Sequence, residues 1–167
     1  MNYSEIYEED TLNGPGFRVS LFVSGCNHRC KGCWNPSTWD FDAGKPYTQE
    51  TEDYIIECLN APMNRGLSLL GGEPMEHVEP LLKLLKRFRT KYPNKEVWVW
   101  SGYKYEYLIE QEKYSEVLQY IDVLVDGRFV QELRDLNLFF RGSSNQRIIK
   151  VPDSLLEGKV ILHELNK

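Results

Sequence analysis

The sequence is poor in the features that would stabilise a disulfide framework, span a bilayer or bind nucleic acid. Only 4 of its 167 residues are cysteine, too few for a disulfide-stapled scaffold in a chain of this length. No apolar run approaches the roughly 18 residues that indicate a transmembrane helix. The net charge of −5 argues against general binding to nucleic acid or to anionic membranes, which both attract basic surfaces.

The first ten residues also lack the basic segment and the apolar segment of an export signal. We therefore expect a cytoplasmic protein whose cysteines remain reduced. With 41% hydrophobic and 27% charged residues, the composition is that of an ordinary globular protein. We expect a single domain, residues 1–167, which is long enough to bury about 70% of its unfolded surface.

Against this background, three of the four cysteines lie within eight residues, as Cys26, Cys30 and Cys33. The spacing Cys-x3-Cys-x2-Cys lets each thiolate reach a different iron of one soft metal centre. An electron-carrying 4Fe-4S cluster normally has four cysteine ligands, so a loop with three leaves one iron open. The loop therefore predicts an iron-sulfur centre that can bind a further ligand.

A zinc knuckle is the alternative, with His28 or Cys58 as its fourth ligand. Zinc sites generally use two pairs of ligands separated by a longer insert, and this loop has no second pair. Apart from that alternative, we expect His28 to face water in a polar loop, with tuning of the cluster's potential as the other interpretation. We expect Cys58 to be a small buried core residue beside the apolar stripe of a helix.

Strand and helix patterns alternate along the chain, which predicts an α/β fold with a mostly parallel sheet and right-handed crossovers. The predicted strands are Phe17–Val23, Leu67–Leu70, Glu96–Trp100 and Ile121–Val125. The predicted helices are Gln49–Asn60 with Thr48 as cap, a helix opened by Pro80, and Tyr105–Tyr120. Eight βα units take about 250 residues, so this chain is expected to form a partial barrel or an open sheet.

A second motif, Gly71-Gly72-Glu73, follows the predicted strand Leu67–Leu70 directly. Glycines let a ligand approach the backbone closely, and a glutamate can pair with an amino group. A Gly-Gly pair after a strand is more often only a turn. Because the carboxyl ends of parallel strands share one edge of a sheet, we expect this turn beside the cysteine loop.

Together, the cysteine loop and the Gly-Gly-Glu turn resemble the radical SAM superfamily. The resemblance implies a partial barrel with helices outside, a 4Fe-4S cluster on Cys26, Cys30 and Cys33, and S-adenosylmethionine on the fourth iron. It implies no catalytic side chain beyond the cluster and cofactor. Gly32 stands where the superfamily commonly has an aromatic residue, with Trp34 as the displaced aromatic. The cofactor contacts it implies are Gly32, Cys33, Trp34, Gly71, Gly72 and Glu73.

Further segments resemble the activating enzymes of glycyl-radical proteins, and in particular those that act on anaerobic ribonucleoside-triphosphate reductase. They are Asn13–Gly16 with Arg18, Asp122–Phe129 and Arg141–Gln146, and the likeness runs from about Asn2 to Ile149. It implies that S-adenosylmethionine is cleaved reductively to a 5′-deoxyadenosyl radical. The radical would take hydrogen from a glycine of the reductase's large subunit, with a flavodoxin-like protein as electron donor.

Four polar residues are candidates for contact with the partner or the cofactor: Arg18, Arg141, Ser143 and Asn145. For Arg18 the alternative is a solvated strand residue, and for the Arg141–Gln146 stretch it is a hairpin connection. No role is predicted for the C-terminal extension, residues 150–167.

Two other functions remain open from the sequence. One keeps the radical chemistry and changes the target to a glycyl-radical enzyme of the formate-lyase type. The other is a non-catalytic interaction protein that binds zinc or a cluster.

Overall fold

One seven-stranded sheet organises the protein in a computed structural model that describes residues 1–167. The strands are β1 (Asn2–Asp10), β2 (Phe17–Val23), β3 (Lys45–Pro46), β4 (Asn64–Gly71), β5 (Glu96–Ser101), β6 (Val123–Asp126) and β7 (Arg147–Lys150). Their order is β3-β1-β2-β4-β5-β6-β7. The four central strands β2, β4, β5 and β6 are parallel, and β1, β3 and β7 pair antiparallel at the two sides. The predicted α/β class and parallel centre are confirmed.

Five α-helices connect or follow these strands. They are α1 (Gln49–Cys58), α2 (Val78–Lys91), α3 (Tyr105–Glu110), α4 (Glu112–Leu118) and α5 (Val151–Glu157). The helix α1 begins where predicted because Thr48 and Thr51 form a reciprocal cap, each hydroxyl accepting from the other's backbone N–H. No helix combines the length and the hydrophobicity needed to cross a membrane.

The predicted single helix Tyr105–Tyr120 is wrong, because the chain breaks at Gln111 into α3 and α4. Gln111 has an extended backbone, with φ −99° and ψ 120°. Leu108 and Tyr114 are six positions apart, so a continuous helix would turn them to different sides. The break allows both side chains to be buried, at 0% and 4% exposure.

The main hydrophobic core lies between the outer face of the sheet and the helices. Alternate residues of β2 and β4 point to it, including Val19, Leu21, Leu67 and Leu69. The buried stripe of α2 covers them with Leu81, Leu84, Leu85 and Phe88. Cys58 is half-buried and packs against this core, close to the role predicted for it.

The inner face of the sheet carries a second, smaller cluster of Trp98, Val123, Val125 and Ile148. Phe140 and Leu165 pack on this cluster. Residues 159–167 therefore form a tail over the base of the inner face, where Asn166 exchanges two hydrogen bonds with the backbone of Ile148. A cleft opens over the carboxyl end of the same face.

Candidate functional site

The cysteine loop leaves the carboxyl end of β2 and is held there by backbone hydrogen bonds. Gly25 N–H donates to the Thr38 carbonyl at 2.7 Å and Cys26 N–H to the Trp39 carbonyl at 3.1 Å. Cys33 N–H donates to the Cys30 carbonyl at 3.1 Å. The loop is thus folded back between β2 and the short 3-10 turn Pro36–Thr38.

All three thiols of this loop line the same cleft. Each is half-buried and free of any disulfide. Burial raises the pKa of Cys26 and of Cys30, and for Cys30 the backbone N–H of Phe129 opposes that shift. A metal centre that favours thiolates would reverse these shifts when it binds.

A zinc knuckle needs four ligand atoms within about 2.0–2.3 Å of one ion. No three His, Cys, Asp or Glu side chains in the structure are grouped to hold a single metal ion. Cys58 borders a different, acidic depression with Glu8 and Glu57. Cys58 therefore lies away from the three thiols, whereas His28 lines the same cleft as they do, with its Nε2 2.7 Å from Glu73 Oε1.

The Gly-Gly-Glu turn is joined directly to the cysteine loop, as the parallel pairing of β2 with β4 predicts. Gly72 N–H donates to the Val23 carbonyl at 2.7 Å, and Glu73 N–H donates to the Gly25 carbonyl at 2.8 Å. A Cβ at Gly72 would lie 2.5 Å from the Gly25 carbonyl oxygen. Glycine is thus required for this close approach of two backbones.

The Glu73 carboxylate is fully buried and accepts hydrogen bonds from several strand ends. Oε1 accepts from Gly102 N–H at 2.7 Å, and both carboxylate oxygens lie 3.0 Å from the Ser101 hydroxyl. Oε2 accepts from Met75 N–H at 2.9 Å, which caps the 3-10 turn Pro74–His77. The remaining partner of Oε1 is His28 Nε2 at 2.7 Å.

The expectation that His28 faces water is therefore wrong. Its side chain is 5% exposed, although its neighbours Asn27 and Arg29 are exposed. The polar neighbours of His28 gave no sign of its burial, because one residue of a polar loop can still turn inward to a buried carboxylate.

The cleft has a volume of about 740 Å³. Leu70, Trp100 and Val125, from three neighbouring parallel strands, form an apolar part of its wall. The three thiols and the Gly-Gly-Glu turn also line it. A site of this kind can hold a small polar molecule against a metal centre with water largely excluded.

Comparison with known protein families gives a match over residues 12–149 to the family described as "4Fe-4S single cluster domain". Curated relatives named anaerobic ribonucleoside-triphosphate reductase-activating protein match over most of their length. The one from Escherichia coli K12 is 49% identical over 87% of this chain and 96% of its own. The one from Vibrio cholerae is 49% identical over 89% and 97%, and that of phage T4 is 41% identical over 89% and 93%.

The chain belongs to the anaerobic ribonucleoside-triphosphate reductase-activating protein family.

In this member of the family, the loops after β5 and β6 complete the cleft. Ser101 and Gly102 follow β5, and Arg128 and Phe129 follow β6. None of these residues belongs to the two motifs that predict the site. Their position at the carboxyl ends of parallel strands could have predicted that they line the site, since such ends form the ligand-binding edge of α/β sheets.

Trp34 lines the cleft, whereas Gly32 does not. Gly32 has φ +75° and its missing side chain leaves room for Gln131, so an aromatic residue there would be strained. Trp34 lines the cleft, is 54% exposed, and lies under the Arg134 guanidinium at 4.5 Å. The displaced aromatic of this family member thus forms part of the cleft wall.

Of the four candidate contact residues, only Arg141 lines the cleft. Ser143 is fully buried; its hydroxyl accepts from Val130 N–H and donates to Asn145 Oδ1. Asn145 Nδ2 donates to the Arg128 carbonyl. The structure thus places Ser143 and Asn145 within the internal bonding of their loop. The hairpin alternative for this stretch is wrong, because β7 pairs with β6 instead of with the preceding run.

Arg18 lies at the opposite end of β2 from the cysteine loop and is 1% exposed. Its guanidinium donates to the Ser68 hydroxyl and to the carbonyls of Leu67 and Glu96. Burial lowers the pKa of Arg18 to about 10. The alternative of a solvated strand residue is wrong, and its hydrogen bonds tie β2 to β4 and β5 at the base of the sheet.

Proposed function

We propose that this protein activates anaerobic ribonucleoside-triphosphate reductase by generating a glycyl radical in it. The observation that carries the proposal is the convergence of three free thiols and the Gly-Gly-Glu turn on one cleft. The relatives in this family are named for activating anaerobic ribonucleoside-triphosphate reductase.

The three thiols of Cys26, Cys30 and Cys33 would hold a 4Fe-4S cluster. The donor set fits, because thiolates are the ligands that such clusters use and the fourth cysteine, Cys58, lies elsewhere. When bound with one iron free of protein ligands, the cluster supplies the electron that splits S-adenosylmethionine into methionine and the 5′-deoxyadenosyl radical that takes hydrogen from the target glycine. The protein contributes binding, orientation and exclusion of water.

The Gly71-Gly72-Glu73 turn and the backbone of Gly32–Trp34 would bind S-adenosylmethionine beside the cluster. Both segments lie at the carboxyl edge of the sheet, where Cys33, Trp34 and the Gly71-Gly72-Glu73 turn line one cleft. A Cβ at Gly71 would lie 2.7 Å from the Val23 backbone, so glycine lets the turn pack closely against β2. Gly71, Gly72 and Glu73 also line the cleft beside the three thiols.

The finer fold we propose is a partial barrel of the radical SAM type, open on the side of the cleft. The mouth of the cleft carries exposed apolar side chains, with Leu12 at 80%, Leu136 at 74% and Trp34 at 54% exposure. Exposed apolar residues around a cavity indicate a surface that another macromolecule covers. A peptide segment of the reductase carrying the target glycine is the occupant that this function demands.

A flavodoxin-like protein would deliver the electron, and the cytoplasm is the compartment that keeps the four free cysteines reduced. Both are expectations from the family resemblance and the thiol chemistry.

The proposal is tested by mixing anaerobically reconstituted protein, S-adenosylmethionine, a one-electron reductant and purified reductase. We expect a glycyl-radical EPR signal on the reductase and 5′-deoxyadenosine in matching amount. Reductase with the target glycine replaced by alanine is the control and should give no such signal. Radical formation on a formate-lyase type enzyme but not on the reductase would instead favour the second target.

A cluster-free, colourless protein that contains one zinc per chain would contradict the proposal and support the non-catalytic alternative. Iron, sulfide and zinc analysis of protein purified without oxygen makes that distinction.

A further inference from the structure

His28 occupies a prepared position between the cysteine loop and the Gly-Gly-Glu turn. Its Nε2 lies 2.7 Å from Glu73 Oε1, across 45 residues of sequence. The contact is a hydrogen bond in which Nε2–H of the imidazole donates to the carboxylate oxygen. The contact is buried on both sides, with side-chain exposures of 5% for His28 and 0% for Glu73.

The space around the imidazole is shaped for it. A Cβ at Gly102 would lie 2.5 Å from His28 Cδ2 and 2.6 Å from Nε2. The ring of Tyr103 packs edge-on against the imidazole, with centroids 4.6 Å apart. A glycine at residue 102 is thus needed for the imidazole to reach Glu73.

Glu73 connects three strand ends through its carboxylate. His28 comes from the loop after β2, Met75 N–H from the turn after β4, and Ser101 and Gly102 from the end of β5. Burying a carboxylate lowers the free energy of unfolding unless N–H or O–H groups donate hydrogen bonds to it. Removing one donor therefore weakens the connection between the strand ends that carry the two motifs.

We propose that His28 is a positioning residue that fixes the cysteine loop relative to the Gly-Gly-Glu turn. Through Glu73, it sets where Cys26 and Cys30 stand with respect to the backbone of Gly71 and Gly72. This role rests on the proposed use of a cluster and S-adenosylmethionine, because those are the groups whose relative placement it controls.

The test compares His28→Leu, which removes the donor at similar size, with His28→Gln, which keeps an N–H at the same reach. In the cluster-free full-length protein, we expect the backbone amides of residues 25–33 to exchange hydrogen about tenfold faster in H28L, because one charge-assisted hydrogen bond is lost. H28Q should stay close to the wild type. Equal exchange in all three proteins would overturn the proposal.

A second measurement uses the reconstituted proteins. We expect H28L to retain a full complement of iron and sulfide, and to need about tenfold more S-adenosylmethionine for half of the EPR change that the cofactor causes. H28Q should bind S-adenosylmethionine with wild-type affinity, because it keeps an N–H donor for Glu73. If His28 only filled space in the loop, this donor would not restore the affinity. An unaltered affinity in H28L would overturn the proposal.

The two proposals fail in distinguishable ways. If wild-type protein shows no EPR change with S-adenosylmethionine, the proposed function fails, while the exchange experiment still decides the contact. If H28L does not fold, Gly102→Ala displaces the imidazole without removing it and is expected to show the same faster exchange.

Discussion

At the scale of single residues, the protein concentrates its soft ligands at one point. Cys26, Cys30 and Cys33 face one cleft, whereas Cys58 packs beside the helical core. The two environments provide a matched pair of cysteines for experiment.

Cys30→Ala should abolish retention of a full 4Fe-4S cluster, because two thiolates remain where the cluster needs three. Cys58→Ala should keep the wild-type iron and sulfide content, since its thiol lies in another part of the fold. Iron and sulfide analysis after anaerobic reconstitution measures both. A full, cofactor-cleaving cluster in C30A would remove the ligand assignment.

Arg18→Met should lower the free energy of unfolding by about 3 kcal/mol, because it removes the donor from three acceptors, of which the Ser68 hydroxyl and the Leu67 carbonyl are buried. The iron content should not change, since Arg18 lies at the end of β2 away from the cysteine loop. Arg65→Met, at an exposed residue of β4, is the control. Urea unfolding measures the stability of both variants. Equal stability of R18M and R65M would contradict the assigned role of Arg18.

His77 provides a pH-dependent contact beside the same loop. Its Nε2 donates to the Ser24 carbonyl at 2.7 Å, and burial lowers the pKa of the imidazole. The neutral form is therefore favoured by folding, and stability is lost as the pH falls below the ordinary histidine value of about 6.5. His77→Gln, which does not titrate, should lose less stability between pH 7.5 and 5.5 in urea unfolding. Identical losses in the two proteins would contradict the contact.

The sequence predicted the residues whose chemistry is visible in their spacing. The cysteine loop and the Gly-Gly-Glu turn were placed together by the rule for parallel strands, and the structure joins them through Gly72 and Glu73. His28 could not be assigned in the same way, because its partner Glu73 is 45 residues distant. Only the folded arrangement shows that this histidine turns inward.

At the scale of elements, alternation of polar and apolar residues identified the central strands. β2 begins and ends at the predicted residues, Phe17 and Val23. β1 was missed because Asn2–Asp10 carries acidic residues and only partly buried apolar ones, which gives no clear period. The break at Gln111 was missed because the sequence there has no glycine or proline.

The C-terminal tail acts as an element of the fold. It follows α5, pairs Leu162 with Ile149 of β7 and lays Leu165 on the inner cluster. This pairing protects the β7 edge of the sheet from other strands.

Asn166→Ala should lower the free energy of unfolding by about 2 kcal/mol and Tm by about 6 °C, because the Ile148 N–H loses its partner and the Ile148 carbonyl keeps only its bond from the His163 N–H. Lys159→Ala, at an exposed residue of the same tail, should have little effect. Calorimetry of the two variants measures the difference, and equal Tm values would show that the tail does not stabilise β7.

At the scale of the whole molecule, the fold places the three thiols and the Gly-Gly-Glu turn on one edge of the sheet and leaves the opposite end for stability. Arg18 and the tail close the base, while the loops after β2, β4, β5 and β6 surround the cleft. The mouth of the cleft carries exposed apolar side chains although the chain as a whole has a net charge of −5.

The central claim is that a cluster with only three protein ligands binds S-adenosylmethionine at its open iron. The most direct test is the EPR spectrum of the reduced, fully reconstituted protein, recorded anaerobically with and without S-adenosylmethionine. The account predicts that the cluster signal changes shape when the cofactor is added and that the change saturates at one cofactor per cluster. A protein with a complete cluster whose spectrum is the same with and without the cofactor would contradict it.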